Sequence, residues 1–146
     1  MRKVDLERTI QAPVADVFDW LTDATNFQRV PLVRRVTLVR PGNVAEHGVG
    51  AVRLVVTPLL RLSEEIVEYD PPRLMRYRIL NSFPPLRSQD GVLRFDPVEG
   101  GTRVRWHAQF EVAAPFFADM YTVGLAPLVV LGIHSVLSTA ERELRR

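Results

Sequence analysis

Between Arg103 and Phe110 apolar and polar positions alternate one for one: Val104, Trp106, Ala108 and Phe110 fall on one side of an extended backbone, Arg103, Arg105, His107 and Gln109 on the other. A strand patterned this way belongs to a sheet with one dry face. Comparable stretches, rich in β-branched residues, recur upstream. Lys3 to Gln11, Val33 to Arg40, Val49 to Thr57, Leu62 to Tyr69, Leu74 to Leu80, Leu86 to Phe95 and Thr102 to Val112 read as seven strands. The turns between them fall at Pro41-Gly42-Asn43, Asp70-Pro71-Pro72-Arg73, Ser82 to Pro85 and Glu99-Gly100-Gly101, and such short connections join antiparallel neighbours.

The period changes twice. After the first strand, Ala12-Pro13 opens a helix whose stripe is Val14, Val17, Phe18 and Leu21, with proline placed early, where its missing N–H is harmless. Asp23 to Phe27 predicts a second short helix, with Asp23 or Thr25 as N-cap and Pro31 as terminator. From about Pro115 onwards the chain reads as one long helix, and within it Met120 to Ala140 runs 21 residues without an Asp, Glu, Lys or Arg. Pro127 lies in the middle of it, where it removes one backbone hydrogen bond and predicts a bend unless the helix restarts.

A helix this apolar needs cover from a bilayer, a partner subunit or the protein's own sheet. Gly124, Pro127, Gly132, His134, Ser135, Ser138 and Thr139 interrupt it, and the unbroken apolar core, Val123 to Ile133, has the length of a buried helix rather than a membrane span. Sheet and helix therefore explain each other. The expectation is an α+β chain: one antiparallel sheet of seven strands whose dry face is covered by a long C-terminal helix, with two short helices after the first strand, and residues 1–146 forming one domain.

At this point the chain resembles, along essentially its whole length, the START-like, Bet v 1-like helix-grip (SRPBCC) superfamily, and within it the polyketide cyclase/dehydrase-type group. The residues that carry the resemblance are Ile10 to Phe18, Asp23 to Phe27, Val49 to Arg53, Glu68 to Tyr77 and Gly100 to Trp106. All are signatures of turns, helix starts and strand alternation; none is a catalytic motif. The resemblance implies a helix-grip fold, a curved antiparallel sheet wrapped on the long helix, with a cavity between them that takes sterols, lipids, polyketides, quinones or other apolar small molecules. Its walls are then expected from Tyr77, Leu93, Phe95, Val104, Trp106 and Phe110 on the sheet, and from Phe117, Tyr121, Gly124, Leu125 and Leu128 on the helix. Arg53, Glu65 and His134 are the candidate polar anchors. The faces of Arg53 and Glu65 depend on strand register, which a one-residue slip inverts.

Composition changes this picture little. A 47% hydrophobic, 25% charged chain of 146 residues is a normal globular mix, large enough to bury a core without staples. There is no cysteine, which removes disulfide and thiolate chemistry, and the start Met1-Arg2-Lys3-Val4-Asp5 turns charged before any apolar run develops, which argues against a cleaved signal peptide, so a cytoplasmic location is expected. Of the 19 basic residues 18 are arginine, but the formal charge is only +2 and acidic residues interleave, so a nucleic-acid stripe is not expected.

No chemistry-bearing motif stands out. His47, His107 and His134 fall in a loop, on a polar strand face and in the apolar helix, without ligand spacing; neither a metal nor another cofactor is expected. Gly48-Val49-Gly50 lacks the rest of a dinucleotide fingerprint. On an unbroken strand Glu64 and Glu68 share one face and Glu65 takes the other, with pairing to Arg76 or Arg78 on the next strand the simplest role for all three. Three functions remain open: a carrier of an apolar small molecule, a cyclase, aromatase or dehydratase using the same cavity, and an interaction module docking through the uncharged helix, with a homodimer or peripheral membrane contact compatible with that helix.

Overall fold

The computed structural model describes residues 2–31, 33–58, 60–83, 85–112 and 118–144. Seven strands form one antiparallel sheet: β1 (Arg2–Ile10), β2 (Arg35–Arg40), β3 (Val52–Val56), β4 (Arg61–Asp70), β5 (Leu74–Phe83), β6 (Leu86–Val98) and β7 (Gly101–Val112). Their order across the sheet is β1-β7-β6-β5-β4-β3-β2, so the chain meanders from β2 to β7 and the first strand closes onto the last. Helix α1 (Val14–Thr22) and a 3-10 helix (Ala24–Arg29) connect β1 to β2, and α2 (Ala118–Leu144) follows β7. This is the helix-grip architecture, with seven strands, two short helices and a long terminal helix as the periodicity predicts. The differences lie at boundaries: β2 and β3 begin later than expected because Val33 and Val49 belong to turns, and β5 and β6 each run three residues longer than expected.

Local chemistry accounts for these elements. Pro13 is the N-cap residue of α1 with extended φ and ψ, and the stripe Val17, Phe18 and Leu21 is completely buried. Asp23 caps the 3-10 helix, its carboxylate accepting from Thr25 N at 3.0 Å. Helix α2 does not restart at Pro127; it continues through it as one 27-residue element. It packs on β1, β7 and α1, where Ile133, Val136, Leu137 and Ala140 are buried. Its C-terminal turn is held by polar contacts: Arg8 of β1 bonds Glu141 at 3.3 Å, while Glu143 accepts from Trp20 Nε1 at 3.0 Å and from Arg29 at 2.8 Å. Arg29 also lies 5.9 Å over the Trp20 ring.

The core has two parts. Under α1, Phe18 meets Phe95 at 5.0 Å and the half-buried Tyr69 at 5.4 Å between ring centres, and Ile10 and Val104 in the same core have no exposed surface. Over β3 to β5 the inner face is not so closely covered, and that gap is the site described below. No helix of the described residues is long and apolar enough to cross a membrane.

The turn from β6 to β7 shows how tightly the ends are joined. Gly101 has φ +154°, and a side chain there would drive its Cβ into the carbonyl oxygen of Ile10 on β1, whereas a Cβ on Gly100, at φ +83°, would meet nothing within 4 Å. Gly101→Ala should therefore cost about 1–3 kcal/mol and lower the melting temperature by about 2–4 °C per kcal/mol. Gly100→Ala should cost only the positive-φ penalty, about 1 kcal/mol. Thermal denaturation of the two variants side by side checks this order.

Candidate ligand-binding cavity

On the inner face of β3 to β7, α2 leaves a cavity of about 340 Å³. Leu21 and Phe27 close one end, Val55, Leu62, Met75, Ile79 and Leu93 line the sheet side, and Leu128, Val129, Ile133 and Val136 of α2 form the roof. Alternation explains the wall: each of these sheet residues sits on the inward-facing parity of its strand.

The most deeply buried charges of the wall form an ion pair. Arg53 and Glu64 are directly opposed across β3 and β4, both line the cavity, and they are only 1% and 8% exposed. Glu64 Oε1 accepts from Arg53 Nη2 at 3.0 Å and from Nε at 3.3 Å, and Arg53 Nη1 donates to the Thr22 carbonyl at the end of α1 at 3.2 Å. A charge this deep is tolerated only when paired and hydrogen-bonded, and the in-register carboxylate meets that requirement. Tyr77 lies on the same wall, edge-on to Trp106, whose Nε1 donates to the Tyr77 hydroxyl at 3.1 Å. Burial in the first place, and then the Glu64 carboxylate, push the Tyr77 phenol well above its ordinary value. Tyr77 fits because its partner across β5 and β6 is Gly91: a Cβ there would overlap the ring and its hydroxyl. At the far end Gln109 donates to Asp90 at 2.7 Å.

Of the residues expected at the cavity, Tyr77, Leu93, Trp106, Phe110, Leu128 and Arg53 line it. Phe95 and Val104 share the inner face but lie in the closed core beneath α1, away from the cavity lining. Gly124 is exposed, Phe117 lies outside the described residues, and so do the side chains of Tyr121 and Leu125. Glu65 is on the outer face, bonded to Arg78 at 2.7 Å and Arg40 at 3.0 Å, and His134 is exposed on α2; neither can anchor a ligand inside. Glu68 does not share the face of Glu64, because a register shift between Ile66 and Glu68 turns it outward to Arg76 at 3.2 Å. Glu64 is thus the carboxylate that sequence pattern pairs with the wrong strand. Its signal is present in the apolar flanks Leu62 and Ile66, which share its parity. Among the described residues no cluster of His, Asp or Glu could hold a metal ion.

Residues 1–141 match the family described as polyketide cyclase / dehydrase and lipid transport. The chain belongs to that family. No curated protein is significantly similar to it in sequence. Among solved structures it is similar to the protein TTHA0849 from Thermus thermophilus, at 21% identity and a TM-score of 0.82 over 98% of this chain and 97% of that one. It is also similar to the Zhui aromatase/cyclase from a Streptomyces species, at 20% identity and 0.76 over 97% and 94%. A START superfamily protein from Mycobacterium smegmatis matches at 11% identity and 0.79 over 97% and 98%. Within the cyclase/dehydrase and lipid-transport family, these likenesses place the chain in the START/Bet v 1 fold.

Two outcomes follow from the polar spot. Glu64→Leu alone should strand the Arg53 charge and cost about 3–5 kcal/mol, whereas Arg53→Met with Glu64→Leu should recover most of that loss, as urea denaturation of the single and double variants will show. For Tyr77 the folded-state pKa is the raised one. Its contribution is complete below the unfolded value of about 10 and is lost as pH rises beyond it, because the unfolded chain ionises first. Stability measured from neutral to alkaline pH should fall less steeply in Tyr77→Phe than in the parent protein.

Proposed function

We propose that this chain is a carrier that binds an apolar small molecule, such as a lipid, a polyketide or a quinone-like compound, in the cavity between its sheet and α2. The observation behind this reading is the cavity itself: about 340 Å³, lined mainly by aliphatic and aromatic side chains, with Arg53–Glu64, Tyr77–Trp106 and Asp90–Gln109 as its polar points. Burying apolar ligand surface there contributes about 25 cal/mol per Å², and the few polar atoms set orientation. Residues 1–146 act in this reading as one ligand-binding domain in the cytoplasm. A second reading, a cyclase or dehydratase, is favoured by one fact: Arg53, Glu64 and Tyr77 converge on the same wall, as acid–base work on a folded substrate requires.

Native mass spectrometry of protein purified from its own host, with denaturing analysis of what leaves it, tests the carrier. The expected result is a stoichiometric apolar compound. Ala108→Phe, which fills the cavity from β7, should abolish its retention while the melting temperature stays within a few degrees of the parent. Protein that is consistently empty, yet turns over a poly-β-ketone substrate, would favour the enzyme instead.

A further inference from the structure

The hydrogen bonds of the buried ion pair bear on which apolar ligand the cavity accepts, given the carrier reading above. Arg53 lines the cavity and looks like an anchor for a ligand anion, but its charge is already matched. Glu64 Oε1 takes two of its N–H groups, at 3.0 and 3.3 Å, and the Thr22 carbonyl takes a third at 3.2 Å. A ligand carboxylate brought to this wall would compete with Glu64 for the guanidinium. It would also leave a net negative charge beside a second carboxylate in a place poor in water, which is the costly arrangement.

The other side of the pair is unused. Among the described residues Glu64 Oε2 accepts no hydrogen bond, although the residue is only 8% exposed and lines the cavity. Nearby on the wall, the Tyr77 hydroxyl accepts from Trp106 Nε1, and none of the described residues accepts its O–H. The wall therefore presents a carboxylate acceptor and a phenol donor, with no uncompensated positive charge. A group that both donates and accepts while staying neutral suits that pair of needs, and a hydroxyl is the smallest such group.

We infer that the cavity selects a neutral, hydroxyl-bearing apolar ligand, a phenol or alcohol on a ring or chain, over the corresponding carboxylate, with the ligand O–H donating to Glu64 Oε2. No bond is made or broken; the selection is one of charge and donor pattern.

Naphthalene, 2-naphthol and 2-naphthoate, which share one ring system, test this by calorimetric titration of the full chain at neutral pH. The parent protein should bind 2-naphthol at least about tenfold more tightly than 2-naphthoate. Glu64→Gln, which leaves the Arg53 charge free, should reverse that order. In Arg53→Met with Glu64→Leu, which removes both charges and does not depend on the stability of the single variant, 2-naphthol should lose its advantage over naphthalene. If 2-naphthoate binds the parent as tightly as 2-naphthol, while naphthalene also binds, the selectivity is wrong and the carrier reading stands. If none of the three binds, both fall.

Discussion

The dry inner face of the sheet has to be covered, and this chain has one long element with which to cover it. Helix α2 lies over β1 and β7 and against α1, and buries Ala126, Ile133, Val136, Leu137 and Ala140 away from water. A single helix about 10 Å across cannot also close over β3, β4 and β5. The cavity is what remains. It follows from a seven-stranded sheet being wider than its cover, and α1 with the 3-10 helix fills only one end of the difference, through Leu21 and Phe27.

Within that uncovered region the ion pair acts as a constraint on register as well as a polar spot. Arg53 and Glu64 face each other across adjacent strands, so a slip of β3 against β4 by one residue would turn one or both charges and expose an apolar neighbour in exchange. Burying two charges is an inefficient way to stabilise a domain, since well-packed apolar residues do as well or better. Its presence on the cavity wall, with the Thr22 carbonyl as a third partner tying β3 to α1, fits a role in fixing the wall geometry and its polarity. The Gly91–Tyr77 juxtaposition works similarly. A missing side chain on β6 lets the aromatic ring of β5 lie flat enough for its hydroxyl to reach Trp106 on β7, so three strands contribute to one polar point.

How much of this is legible in the sequence depends on whether the information is local. The alternation Val104, Trp106, Ala108, Phe110, the Pro13 helix start and the uncharged run in α2 are local patterns, and they carry the strand count, the helix order and the dry face. Register is not local. Arg53 can be placed in a β-branched strand but not opposite Glu64, and the irregularity between Ile66 and Glu68 breaks the parity that would put Glu64 and Glu68 on one face. Phe95 and Val104 face inward as their pattern predicts, yet inwardness alone does not distinguish closed core from cavity wall; that depends on where α1 sits, and α1 sits over them. His134 stands out as a polar position in an apolar helix and Glu65 as one of three carboxylates on its strand, and in both cases the polar group faces outward, to arginines for Glu65 and to solvent for His134.

Occupancy of the cavity also involves its edge. Leu128 and Leu131 of α2 both line it while remaining 40% and 48% exposed, and Pro58 and Leu60 line it from the β3–β4 connection. None of the four belongs to the buried core, to which α2 contributes Ala126, Ile133, Val136, Leu137 and Ala140. Surface of this kind at a mouth is stabilised when a ligand's own apolar body covers it, at about 25 cal/mol per Å² removed from water. The polar point deep in the wall and the apolar residues at the edge are thus complementary parts of one recognition surface: the first discriminates by hydrogen-bond pattern and charge, and the second supplies affinity without regard to either.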